Sequence, residues 1–163
     1  MPIDEQTYKD VMSLLPGGVT VVTTRDQSGI AVGLTVSAVC TVSLDPPRIL
    51  VVIDKNSQTL PALLASNAFT VSLLAEGSED LAMYFASTVV DKFSDLDDDS
   101  YIELSTGPAL VAQSNAYMEC RTTQAIDSGD HWILVGGVES GEVLSTGSPL
   151  VYWHRAFREL VSD

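Results

Sequence analysis

The chain has 163 residues, 45% of them apolar, and 8 Lys and Arg stand against 22 Asp and Glu for a formal charge of -14. The length suits a single domain, residues 1–163, with a sizeable core, and a mean hydropathy of +0.21 argues against a disordered acidic chain. The negative charge repels nucleic acid and anionic membranes, so neither is expected as a partner, and any bound phosphate must find a local cation.

In chain order, Asp4 can cap a first helix whose Tyr8, Val11, Met12 and Leu15 form one apolar stripe. The N-terminal MPIDEQTYKD has no apolar signal segment, and no run nears the roughly 20 apolar residues that span a bilayer, so a cytoplasmic protein is expected. Pro16-Gly17-Gly18 stops the helix. Val19–Thr24 and Ile30–Thr41 predict a hairpin around Asp26-Gln27-Ser28-Gly29. Alternation in its second strand puts the hydroxyls of Thr35, Ser37 and Thr41 on one face, with Leu34, Val36, Ala38 and Cys40 on the other. Buried hydroxyls are costly without partners, so a strand lined with them suggests a polar ligand. Asp45-Pro46-Pro47 turns the chain. The apolar run Ile49–Ile53 predicts a strand covered on both faces, and it leads into Asp54-Lys55-Asn56-Ser57-Gln58-Thr59. There a lysine and hydroxyls precede a short helix over Leu60–Ala65, a setting that favours an anion. A plainer reading makes Ser57 or Thr59 a helix cap, and spacing alone favours it.

Phe69–Leu74 predicts a further strand, and Ser78-Glu79-Asp80 opens a helix through Leu81, Met83, Tyr84 and Phe85. Asp91–Ser100 is rich in aspartate but lacks the spacing and glycine of a calcium loop, so a solvated loop and no metal site are expected. Ala109–Ala125 and Trp132–Leu144 predict two long strands joined by a turn at Ile126-Asp127-Ser128-Gly129-Asp130. A short strand at Leu150–Trp153 and a polar C-terminal segment follow. Cys40 and Cys120 form no C-x-x-C pair and are expected as two buried, reduced thiols. Closely spaced strands with only short helices between them predict a mainly antiparallel closed sheet. With no G-x-G-x-x-G after a strand, a Rossmann site is unsupported.

Seven short motifs occur in order: Gly33-Leu34-Thr35-Val36-Ser37-Ala38, Ser43-Leu44-Asp45-Pro46-Pro47, Asn56-Ser57-Gln58-Thr59, Phe85-Ala86, Lys92-Phe93, Gly129-Asp130-His131 and Pro149-Leu150-Val151-Tyr152. Spread from Pro16 to Arg158, they resemble the short-chain flavin reductases. The resemblance implies a mainly β fold, an FMN-binding split β-barrel with short peripheral helices, that pairs as a homodimer with its flavin sites near the subunit interface. It implies an NAD(P)H-dependent flavin reductase that transfers a hydride from NADH or NADPH to FMN or FAD and supplies reduced flavin to a separate flavin-dependent oxygenase. Such a reaction passes the hydride from ring to ring, so it asks the protein for stacking and positioning more than for an acid–base constellation.

The resemblance also implies the site. Thr35, Val36, Ser37 and Ala38 would flank the isoalloxazine and ribityl groups, and Asp54, Lys55, Ser57 and Thr59 the phosphate end. Lys92 and Phe93 would reach the flavin from a loop, and Tyr152 would border it. His131 would stand by the nicotinamide face as the catalytic residue; spacing alone makes it a turn histidine bonded to Asp130. His154 reads as a surface or interface residue, and Trp132 and Trp153 as core or interface aromatics. Two alternatives remain: a flavin carrier or redox sensor without turnover, and a related split-barrel oxidase or deazaflavin-dependent reductase. FMN against FAD, and NADH against NADPH, stay open.

Overall fold

Asp4 begins the first helix as expected: its carboxylate accepts the Thr7 N–H at 2.9 Å and α1 runs Glu5–Ser13 in the computed structural model, which describes residues 1–160. The helix lies outside the sheet. Its apolar Tyr8, Val11, Met12 and the following Leu15 are all exposed. β1 is the short Gly17–Gly18, and β2 (Thr20–Arg25) turns back at Asp26, whose carboxylate accepts the Ser28 and Ile30 N–H groups, into β3 (Ala31–Val36).

The strand expected to continue to Thr41 does not. It breaks at Ser37-Ala38, and β4 (Val39–Leu44) begins anew, pairing with β5 (Pro47–Asp54) instead of β2. The reason is topological. After α2 (Leu60–Ser66), β6 (Ala68–Leu74), α3 (Glu79–Ala86), β7 (Tyr101–Ile102), β8 (Ala109–Leu110), β9 (Ser114–Ser128) and β10 (His131–Val143), the main sheet has the order β3-β2-β6-β9-β10-β5-β4. Every pairing in it is antiparallel. Its two outermost strands are thus consecutive in the chain, joined only by Ser37 and Ala38, so the sheet curls round until its rims face each other. At that joint the Val52 N–H donates to the Ala38 carbonyl at 3.0 Å. This is a mainly β, split-barrel architecture with short peripheral helices.

Three other expectations change. Ala109–Leu110 pairs with β7 as a separate piece, and the long hairpin extends to Ser128, so that Ile126-Asp127-Ser128 is strand and the turn is only Gly129-Asp130. Gly129 at φ +63° makes so tight a reversal possible. β5 is buried on one face alone: Ile49, Val51 and Ile53 are in the core, whereas Leu50 and Val52 are half-buried and line an open groove. After Trp153 the chain forms a second hairpin, β11 (Val151–Trp153) with β12 (Ala156–Arg158), and residues 161–163 of the polar segment lie outside the described residues.

The barrel interior is filled by Val22, Val51, Ile53, Phe69, Val71 and Leu134, all at most 1% exposed. Each such side chain stabilises the fold by roughly 1.5–3 kcal/mol when fully buried. A second cluster lies outside the sheet, where Phe85 of α3 packs edge-to-face on Phe93 (5.5 Å between centroids) and Phe93 on Tyr101 (5.3 Å). Over β2 and β6 a polar layer is closed by the strap before β8. The Thr23 hydroxyl donates to the Pro108 carbonyl (2.6 Å), the Thr70 hydroxyl to Gly107 (2.7 Å), and Ser72 accepts the Leu110 N–H (3.0 Å). These buried hydroxyls are therefore satisfied within the chain.

Candidate active site

Two cavities open on either side of the Ser37-Ala38 joint. The first, about 410 Å³, is bounded by β3 (Gly33, Thr35), the Asp54–Thr59 turn after β5, and the end of α3 with its following loop, Phe85–Val90. The second is a groove of about 570 Å³ between the end of α1, the joint itself and the β11–β12 hairpin, floored by Leu50 and Val52. Val36, between the two, turns its side chain into the core at 6% exposure. Residues 50, 52 and 54 share one face of β5 by alternation, so the apolar groove and the polar cavity follow one another along that face.

The polar cavity contains an unusual cation. Lys92 is 6% exposed, and its ammonium donates to the carbonyls of Phe85 (2.7 Å) and Gly33 (3.1 Å), with the Phe85 ring centroid at 5.7 Å. No carboxylate pairs with it among the described residues. Burial holds its pKa below the ordinary lysine value. Thr59, also buried, adds a hydroxyl donated to the Gly33 carbonyl at 3.3 Å, and Ser57 accepts the Thr59 N–H at 3.2 Å. Asp54 accepts the Asn56 N–H at 2.7 Å, which holds the turn in shape.

The expected site residues are therefore distributed as follows. Thr35, Asp54, Ser57, Thr59 and Lys92 line the polar cavity together. The Thr35 hydroxyl already donates to the Ala82 carbonyl of α3 at 2.5 Å, so what satisfies it is the protein. Ser37, Ala38 and Tyr152 line the apolar groove. Lys55 turns away to an ion pair with Asp127 at 2.5 Å, and Phe93 is in the aromatic stack; neither lines a cavity. His131 stands opposite Asp54 in the β5–β10 register, half-buried, with Nδ1 2.6 Å from Asp130. That contact holds the Asp130 carboxyl below the usual carboxylate range.

Several lining residues escaped the sequence reading. Ser87-Thr88-Val89-Val90 extends the polar cavity, and a pair of valines in a polar stretch was the only trace it left. His154, expected at the surface or an interface, is exposed, and with Arg155 it borders the groove. Both have positive φ, +53° and +61°, and α1 is tied to this hairpin by Arg155–Asp10 (2.7 Å) and by Trp153 Nε1 donating to Leu14 (3.0 Å). Cys40, expected buried, is exposed beside the groove because it lies on the outer strand; only Cys120 is buried, and its thiol is pushed up to about 12 by desolvation.

Comparison with known proteins places these features in context. Residues 12–161 match the model of the flavin reductase like domain. The NADH-dependent flavin reductase of Kitasatospora aureofaciens is 41% identical over 158 residues, 95% of this chain and 81% of the relative. The reductase component of 4-hydroxyphenylacetate 3-monooxygenase from Thermus thermophilus is 34% identical, covering 96% of this chain and 97% of that one. Among solved structures, the NADH:FAD oxidoreductase of Streptomyces globisporus in complex with NAD and FAD fragments superposes with a TM-score of 0.88 at 29% identity, over 100% of this chain and 98% of that chain.

Proposed function

Because the chain belongs to the flavin reductase like domain family, we propose that it is an NADH-dependent flavin reductase that supplies reduced flavin to a separate monooxygenase. The single observation that carries the assignment at the level of the site is the succession of an apolar groove and a polar cavity along one face of β5, with a buried ammonium that no carboxylate among the described residues neutralises. A flavin has the same succession, a flat ring followed by a polyhydroxyl chain and phosphate. The residues therefore fit the group. When bound, the flavin supplies the ring that accepts a hydride directly from the reduced nicotinamide.

The chain's own residues do the positioning. The backbone of Ser37-Ala38, with Leu50 and Val52 below and Tyr152 beside it, gives the ring a largely apolar seat. Lys92 supplies positive potential at the phosphate end, strengthened because it is out of water. Thr35, Asp54, Ser57 and Thr59 shape that end. Lys55 acts at second hand, by its pairing with Asp127 that fixes the turn, and Phe93 by supporting α3. His131, oriented by Asp130, stands at the end of the β5 face where a second ring would approach and orients the nicotinamide donor.

We also infer a homodimer. β4 is an outermost strand with Leu44 at 92% exposure, and the α1 end exposes Leu14 and Leu15 at 57% and 65%; apolar surface of that kind is covered by a second copy. The experiment that tests the function is direct: purified protein is mixed with FMN or FAD and NADH consumption is followed at 340 nm. Turnover that depends on added or bound flavin is expected. Flavin binding with no NADH oxidation would favour a carrier.

A further inference from the structure

The tip of the β9–β10 hairpin stands clear of the core. β9 follows β6 in the ladder only as far as Arg121, so from Thr123 to Ser128 its one partner strand is β10, and residues 123–130 are all exposed. A two-stranded ribbon of that kind is marginally stable unless something else secures it. Yet His131 sits at the end of this tip, opposite Asp54, where the β5–β10 ladder stops.

Residue 55 supplies the hold. The Lys55 N–H donates to the Asp130 carbonyl at 3.0 Å, and the Lys55 ammonium pairs with Asp127 at 2.5 Å. Main chain and side chain of one residue thus grip both limbs of the hairpin, Asp127 on β9 and Asp130 just ahead of β10. Because Lys55 belongs to the Asp54–Thr59 turn that bounds the polar cavity, the grip joins the phosphate end of the site to the side from which the donor arrives.

Charge makes the side-chain half of this grip matter. Asp54, Asp127 and Asp130 gather here, and Lys55 is the one lysine or arginine in either turn. Without it the carboxylates would push the tip away from β5. The Asp130 carboxyl is held below the usual carboxylate range chiefly by His131, and Lys55 adds to the effect. An exposed ion pair contributes little to global stability, so what this one governs is local: where the tip lies.

Resting on the flavin reductase reading above, we propose that Lys55 and Asp127 are positioning residues for hydride transfer: their ion pair clasps the hairpin tip to the turn after β5 and thereby sets the His131 imidazole against the donor. Neither side chain touches the reacting rings. Lys55 acts on turnover through His131, and not on flavin affinity through the phosphate.

The double variant Lys55→Met, Asp127→Asn tests this, since it removes one charge of each sign and leaves the formal charge at -14. On the intact chain, kcat for NADH oxidation should fall about fivefold, while the flavin dissociation constant, read by fluorescence quenching, changes less than about twofold. On a His131→Ala background the same two substitutions should lower kcat no further, because residues that act through one another are not additive. A second readout needs no flavin. The chain has two histidines, His131 and His154, and in the flavin-free variant the His131 imidazole resonances should move in the NMR spectrum while those of His154 stay. Both substituted side chains are partly exposed, so the variants keep the packed core. An unchanged kcat, an unmoved His131 resonance, or an equal loss on the His131→Ala background overturns the proposal. So does a flavin affinity that falls in Lys55→Met and rises in Asp127→Asn, because Lys55 would then be a ligand of the phosphate. A wild type that oxidises no NADH with either flavin overturns the flavin reading itself, and this inference with it.

Discussion

On the proposed function Lys92 serves binding and His131 turnover, and each role can be tested alone. In Lys92→Met the Phe85 carbonyl loses its ammonium donor and the Gly33 carbonyl is left with the Thr59 hydroxyl at 3.3 Å. A buried unpaired polar group costs on the order of 1–3 kcal/mol, partly offset because the charge no longer has to be desolvated. A net loss of about 1–2 kcal/mol in urea unfolding is expected, together with weaker flavin binding. The pH dependence has a definite sign. Burial lowers the pKa of Lys92 from the ordinary lysine value of 10.5, so between the lowered value and 10.5 the unfolded chain binds more protons. The contribution of Lys92 to stability therefore rises with pH, and the stability difference between wild type and Lys92→Met should grow from pH 7 toward pH 10; a difference that stays flat removes the buried-ammonium reading. His131→Ala, by contrast, touches the half-exposed end of β10. It should lower kcat for NADH oxidation at least about tenfold while flavin affinity changes less than about twofold. Equal kcat in the variant would remove the positioning role.

At the level of elements, the strap ahead of β8 is the least forgiving piece. Gly107 has φ +129°, and a Cβ there would lie 2.7 Å from the Thr24 backbone. Gly107→Ala should therefore cost about 2 kcal/mol or more in thermal unfolding and loosen the hydroxyl contacts of Thr23 and Thr70. What the sequence revealed follows from what periodicity can see. Alternation and apolar runs located β2, β5 and β6 because each side chain there reports its own burial. The same rule could not see that β3 ends at Val36, since a strand that changes rims keeps its alternation while its hydrogen-bonding partner changes. The β11–β12 hairpin was hidden because its turn, His154-Arg155, adopts left-handed backbone without glycine or asparagine. In the site, the resemblance indicated Thr35, Ser57, Thr59 and Lys92, which the structure gathers in one cavity. It could not indicate that Lys55 is paired elsewhere or that Phe93 is core, because both depend on partners distant in the chain, Asp127 and Tyr101.

The whole molecule must reconcile a charge of -14 with exposed apolar strips on β4 and α1. Like charge keeps copies apart at long range and apolar contact holds them at short range, so pairing is expected to strengthen with salt. Sedimentation velocity should show a wild-type dimer, and Leu44→Glu should shift it toward monomer; a wild type that sediments as a monomer rules out the pairing. The joint at Ser37-Ala38 has a mechanical corollary. Two residues are the short bridge between the far rims of a seven-stranded sheet, and a nucleotide lying across them would act as a wedge that stops the barrel from breathing. Amide exchange on β3 and β4 should then slow in concert when the ligand arrives, although the two strands share no ladder.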